Sequence, residues 1–187
     1  MEKKFKIIIL ITFITSFSVT TGFLIWSIYD YYTFQIYVDT YSPVYQGVGV
    51  NKASNYTNES GIHPIVLLGP DGTRHKWTTE IPSSWRPKSI SDVELVICIY
   101  GERGRGIESC PYELPSGGIF YITTVQLILD ANLREAKTGR SITNITIEGP
   151  MPRHCGAIEY IDNDDTIYGS HVSFTQLIEE LIPYIII

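Results

Sequence analysis

The hydrophobic pattern divides the chain near its start. Residues 7–28 (IIILITFITSFSVTTGFLIWSI) carry no charged side chain, and Lys3, Lys4 and Lys6 precede them. About 20 apolar residues in a helix, rising about 1.5 Å each, cross a hydrocarbon core of about 30 Å. The pattern therefore predicts a transmembrane span, with the lipid bilayer as a partner of residues 7–28. Trp26, Tyr29, Tyr31 and Tyr32 supply the aromatic belt expected at a lipid–water boundary. Lysines on the near side orient the amino terminus to the cytoplasm and everything beyond about residue 30 to the outside. A cleaved signal peptide needs a shorter apolar region and a small-x-small site, which only Ser16-Phe17-Ser18 approaches, inside the run. A buried core helix would be shorter and amphipathic. A lipoprotein needs a cysteine just after the span, and the first is Cys98. An uncleaved signal anchor is the favoured reading.

The exported part reads as β-rich. Residues 33–41 (TFQIYVDTY) alternate Phe34, Ile36 and Val38 against polar or aromatic neighbours, which predicts a strand. The following Gly-, Ser- and Asn-rich stretch to residue 62 predicts a loop or linker. Residues 65–68, the turn Gly69-Pro70-Asp71-Gly72 and residues 73–79 predict a hairpin, with Gly72 at positive φ. Pro82 and Pro87 mark an irregular connector anchored by Trp85. Residues 95–100 predict a short apolar strand that GERGRG (101–106) turns back into 107–110. The clearest strand is 121–134, where Val125, Leu127, Leu129, Ala131 and Leu133 alternate with mostly polar residues. Residues 141–148 return beside it, with Ile142 out of phase, so a β-bulge is expected near 143. One helix, 173–182, closes the chain: Ser173 and Gln176 fit a capping box, and Phe174, Leu177, Ile178 and Leu181 share a face. Pro183 is expected to end it. The predicted organisation is a cytoplasmic stub and anchor at 1–29, a membrane-proximal strand and linker at 30–62, and a β-rich domain at 63–187. The fold class is α+β, with a mainly antiparallel sheet behind an N-terminal transmembrane helix.

Charge changes the picture once topology is fixed. The whole chain has 187 residues and a net charge of -6. Without residues 1–29 it keeps eleven basic against nineteen acidic residues, a net of about -8. That balance excludes a nucleic-acid partner, which calls for a basic face. With 44% hydrophobic and 18% charged residues the chain has enough apolar material for a core.

Three cysteines in an exported chain suggest one disulfide and one thiol left over. If the hairpin 95–110 turns at Gly104, Cys98 and Cys110 face each other, with Cβ atoms about 4.5–5.5 Å apart. A disulfide needs nearer about 3.8 Å, so that pairing requires an adjusted register. Cys110–Cys155, which ties the hairpin to the loop after 141–148, stays open, as does Cys98–Cys155. His63, His75, His154 and His171 show no metal-ligand spacing and read as surface or loop residues. Asp162, Asp164 and Asp165 lack the pattern of a calcium loop and read as a solvated turn. GERGRG lacks the lysine and following helix of a phosphate loop, although Arg103 and Arg105 at its tip are candidates for meeting an acidic partner. No G-x-S-x-G stands in the chain, and Cys110 has no basic neighbour to activate it. Three Asn-x-Ser/Thr triplets, at Asn55, Asn58 and Asn144, matter only in a host that glycosylates exported proteins. No cofactor, metal or catalytic residue is expected.

The blocks GIHPIVLLGPDGTRHKWTTEIPSSWRP, ELVICI, IESCPY, NLREAKTGR, IEGPMPRHC and YGSHVSFTQLIEELIPYI resemble a family of exported or membrane-anchored, mostly bacterial proteins. The resemblance covers roughly residues 61–184. That family has no known activity, so the resemblance implies a shared fold and location and carries over no site residue. The expected role is a binding or structural module that meets a protein or envelope polymer through loops 43–62 and 101–106. The competing expectation is an envelope hydrolase or metal-dependent enzyme built from His154, Asp162 and Asp164.

Overall fold

The computed structural model describes residues 2–57, 59–113, 116–156 and 166–187. The chain divides into two compact units, Met1–Tyr37 and Val38–Ile187. The first helix, α1, runs Glu2–Tyr45. Side chains at 7–19, Trp26 and Ser27 lie outside the described set, and most of the expected transmembrane span falls there. Among the described residues no helix is long and apolar enough to cross a membrane. The strand expected at 33–41 is instead the continuation of α1. Its alternation is real, but Val38, Tyr41 and Val44 also recur every three residues, and they are the ones buried in the second unit. The Tyr41 hydroxyl donates to the Ile90 carbonyl.

Among its described residues the second unit holds a five-stranded, mainly antiparallel open sheet. Its strands are β1 (Ile65–Leu68), β2 (Leu95–Glu113), β3 (Ile119–Glu135), β4 (Ser141–Glu148) and β5 (Thr166–Tyr168). The order is β1-β2-β3-β4, with β5 also beside β3. The β2–β3 and β3–β4 pairs are antiparallel, whereas β1–β2 and β3–β5 are parallel. β1 therefore does not form the expected long hairpin. It turns through the 3-10 turn Pro70–Gly72, returns only as far as a single Leu68–Arg74 bridge, then passes through three more 3-10 turns before rejoining the sheet as β2.

The β3–β4 hairpin matches its sequence pattern. The register slips between Leu133 and Arg134, which face Thr143 and Ser141, so Ile142 is the extra residue of a bulge. The helix α2 (Phe174–Ile185) starts at Ser173, whose hydroxyl accepts from Gln176 N–H while the Gln176 side chain accepts from Ser173 N–H. It runs through Pro183 rather than stopping there. A proline in the last turn forfeits one hydrogen bond, against the complete burial of Ile185. Leu177, Leu181 and Ile185 pack on Ile65, Leu67, Leu95, Ile97, Ile99, Leu129 and Ala131 as the main core. Ser173→Ala is expected to lower stability by about 1 kcal/mol through the lost cap, measured as a shift of the denaturation midpoint at unchanged slope.

β2 is where sequence and structure part most. GERGRG is no turn: residues 101–106 lie inside one continuous 19-residue strand, paired along its length with β3. Cys98 and Cys110 therefore sit twelve residues apart on one strand, about 40 Å at about 3.3 Å per residue, and cannot meet. Cys98 is free and buried opposite Asn132. The disulfide joins Cys110 to Cys155, with Cα atoms 6.4 Å apart.

Candidate functional site

Two bulges give β2 its chemistry. A one-residue insertion exchanges the two faces of a strand for everything beyond it. The first lies between Ile99 and Gly101, and the second between Gly106 and Glu108. Before the first, odd-numbered Leu95, Ile97 and Ile99 face the α2 core. After it, Glu102 stands opposite Leu129 and takes that same face. Gly101 sits at φ 108°, a region open to glycine at little cost. An acidic side chain is thereby aimed at the edge of the core.

Glu102 borders a cavity of about 110 Å³ lined by Pro70, His75, Lys76, Trp77, Ile99, Gly101, Glu102 and Leu129. The segment after β1 supplies the opposite wall. His75 precedes the 3-10 turn Lys76–Thr79 and accepts the Trp77 N–H at Nδ1, 3.2 Å away. In neutral His75 the ring proton therefore sits on Nε2. Burial, followed by the Lys76 cation, pushes the His75 pKa down to about 4, against a smaller opposing pull from Glu102. Trp77 is buried against Phe174 and His75, with the Lys76 ammonium 5.6 Å from its ring centre. Glu102 is engaged from behind, accepting from His171 Nδ1 at 2.5 Å and Val172 N–H at 2.8 Å.

A depressed histidine pKa makes stability depend on pH. The unfolded chain binds the proton more readily, so the stabilising effect of keeping His75 neutral is complete above about 6.5 and is lost as pH falls towards about 4. Replacing His75 by Asn should flatten that part of the profile. The measurement is the wild-type minus variant difference in urea midpoint at pH 7 and pH 4.5, and equal differences at both would contradict it.

The residues singled out in the sequence lie elsewhere. Arg103 donates to Asp130 at 2.6 Å, and that bond, with the Thr146 hydroxyl assisting, holds the Asp130 carboxyl below its usual range. Arg105 donates to Glu148 at 2.7 Å and to Gln126, linking β2, β3 and β4. Each arginine thus meets an acid of its own sheet, in exposed pairs worth about 0–1 kcal/mol. His63 is buried rather than superficial, 2.6 Å from Glu94. His154 is exposed beside Glu108 at 3.3 Å. Asp162, Asp164 and Asp165 lie outside the described residues. Sequence reasoning missed His75, Glu102 and His171 as a group. The signal that could have found Glu102 is Gly101 within an apolar strand, a common mark of a bulge.

Comparison with known proteins found no matching family model, no matching curated protein and no matching solved structure.

Proposed function

We propose that the chain is a single-pass, membrane-anchored extracytoplasmic binding module whose pocket accepts a carboxylate carried by a protein or an envelope polymer. The anchoring half of this reading rests on the apolar run 7–28, the lysines before it and the aromatic residues after it. The exposed Phe23, Leu24, Ile25 and Ile28 support it, because such a surface suits lipid better than water. The resemblance to exported proteins points the same way.

One observation carries the binding half: two donors border the cavity while its one carboxylate is already occupied. Neutral His75 offers Nε2–H, and Lys76 forms no ion pair among the described residues. Glu102 accepts from His171 and Val172. A ligand that brings negative charge and oxygen acceptors complements this arrangement through charge-assisted hydrogen bonds. His75 is also too weak a base near neutral pH to serve well in general-base hydrolysis, which favours binding over turnover.

The test is calorimetry of the full-length chain in detergent micelles, titrated with N-acetylalanine and with its amide. The carboxylate should bind at least about tenfold more tightly, the loss of one charge-assisted contact being about 1.5–3 kcal/mol. Lys76→Met should abolish the preference. Equal binding of acid and amide, or a preference that survives Lys76→Met, would overturn the reading.

A further inference from the structure

A second cluster lies further along β2. Glu108 and Cys110 are two residues apart and so point to one face of the strand. The bulge between Gly106 and Glu108 sets which face that is, reversing the phase that placed Glu102 against the core. From the segment after β4, Cys155 reaches Cys110 and His154 reaches Glu108. Ligand atoms of Glu108, Cys110 and Cys155 all lie within 4.8 Å of one another. His154 Nδ1 is 3.3 Å from Glu108 Oε2. The cysteines are half-buried and the other two side chains exposed, so an ion in solution has access to all four.

Two thiolates, an imidazole and a carboxylate make a donor set for tetrahedral Zn²⁺. Zn–S bonds of about 2.3 Å put two sulfurs about 3.8 Å apart, a spacing within reach of Cα atoms 6.4 Å apart. Sulfur ligands also select against Ca²⁺ and Mg²⁺, which prefer oxygen alone.

We infer that, with its disulfide reduced, the chain binds one Zn²⁺ through Cys110, Cys155, Glu108 and His154, so that the same two sulfurs hold either a covalent cross-link or a metal. The S–S bond breaks as an external dithiol is oxidised to its own disulfide, or as a phosphine is oxidised to its oxide with oxygen from water; either supplies the two electrons and two protons that complete the thiols. Zn²⁺ then displaces both protons as the two Zn–S bonds form. In the oxidised chain the sulfurs are bonded to each other, leaving one carboxylate and one imidazole, too few for tight binding. Cys98 does not compete: it is fully buried, and burial pushes its thiol up to about 12. Either state of the site ties β2 to the segment after β4.

The experiment uses the full-length chain in detergent micelles, reduced by a phosphine, desalted anaerobically and titrated with Co²⁺ and then Zn²⁺. Reduced protein should gain a thiolate-to-cobalt charge-transfer band and tetrahedral visible bands at one equivalent, both bleached by Zn²⁺. Oxidised protein should gain neither. Glu108→Gln and His154→Ala keep both cysteines, and melting of their oxidised forms verifies that they fold. Each should weaken Co²⁺ binding by at least about tenfold, the lower end of what is lost even when only an outer-shell partner of a ligand is removed. Cys98→Ser should leave the spectrum intact. The inference fails if the reduced wild type gives no bands, if both Glu108→Gln and His154→Ala bind Co²⁺ as tightly as wild type, or if Cys98→Ser abolishes the bands.

Discussion

Gly139→Ala is expected to destabilise the chain by about 3 kcal/mol or more. Gly139 closes the β3–β4 turn at φ 72°, where a side chain costs about 1–2 kcal/mol by itself. The added methyl has nowhere to go. A Cβ there would lie 2.3 Å from the Gly47 carbonyl oxygen and 2.5 Å from its carbon. Those are backbone atoms, so relief requires the whole 47–49 segment to move off the turn. The approach is close from the other side too, since a Cβ on Gly49 would fall 2.1 Å from the Lys137 oxygen. Strain combined with a backbone clash belongs to the large-effect class of substitutions. Chemical denaturation of wild type, Gly139→Ala and Lys137→Ala measures it. The lysine variant should stay within about 0.5 kcal/mol, and a Gly139→Ala loss under about 1 kcal/mol would mean that the 47–49 segment does not seat on the turn.

Removing the cross-link should cost about as much by a different route. The sequence separation of 45 between Cys110 and Cys155 corresponds to about 4 kcal/mol of lost loop-closure entropy in the unfolded chain. The double variant Cys110→Ser, Cys155→Ser should therefore unfold at markedly lower denaturant. Reduced wild type should match it in the presence of a chelator and recover part of the difference when Zn²⁺ is added. Peptide mapping without reductant identifies the bonded pair independently. A Cys98–Cys110 peptide would contradict the β2 register as well as the disulfide, because no single strand can bring those residues together.

How much of this was legible in the sequence depends on where local pattern and tertiary pairing agree. β3 reads directly, because alternating apolar and polar residues are what a sheet with two differently covered faces requires. The bulge at Ile142 reads as one residue out of phase. The cap of α2 reads from Ser173 and Gln176, because a capping box is a local arrangement. β2 does not read, because residues 101–106 have neither strand propensity nor alternation of their own. They are extended because β3 offers a continuous partner and because Arg103 and Arg105 find Asp130 and Glu148 on neighbouring strands. A glycine-rich hexapeptide looks the same whether it turns or bulges. From that ambiguity came the wrong hairpin and the cysteine pairing left open, and the pocket stayed hidden with them. Glu102 is a pocket residue solely because a bulge two positions earlier turned it towards the core. Residues 33–41 failed for a simpler reason. A nine-residue window accommodates both a two-residue and a 3.6-residue period, and burial of Val38, Tyr41 and Val44 selects the helix.

The pocket between the 70–77 segment and Glu102 is the centre of the functional account, and its location can be tested without knowing the natural ligand. ¹⁵N-labelled full-length chain in detergent micelles is titrated with N-acetylalanine while backbone and indole resonances are followed. The account predicts saturable shifts concentrated at Lys76, Trp77, Gly101 and Glu102, with a smaller response at His171 through its bond to Glu102. Shifts centred on Arg103 and Arg105, or spread evenly over the basic surface residues, would contradict it.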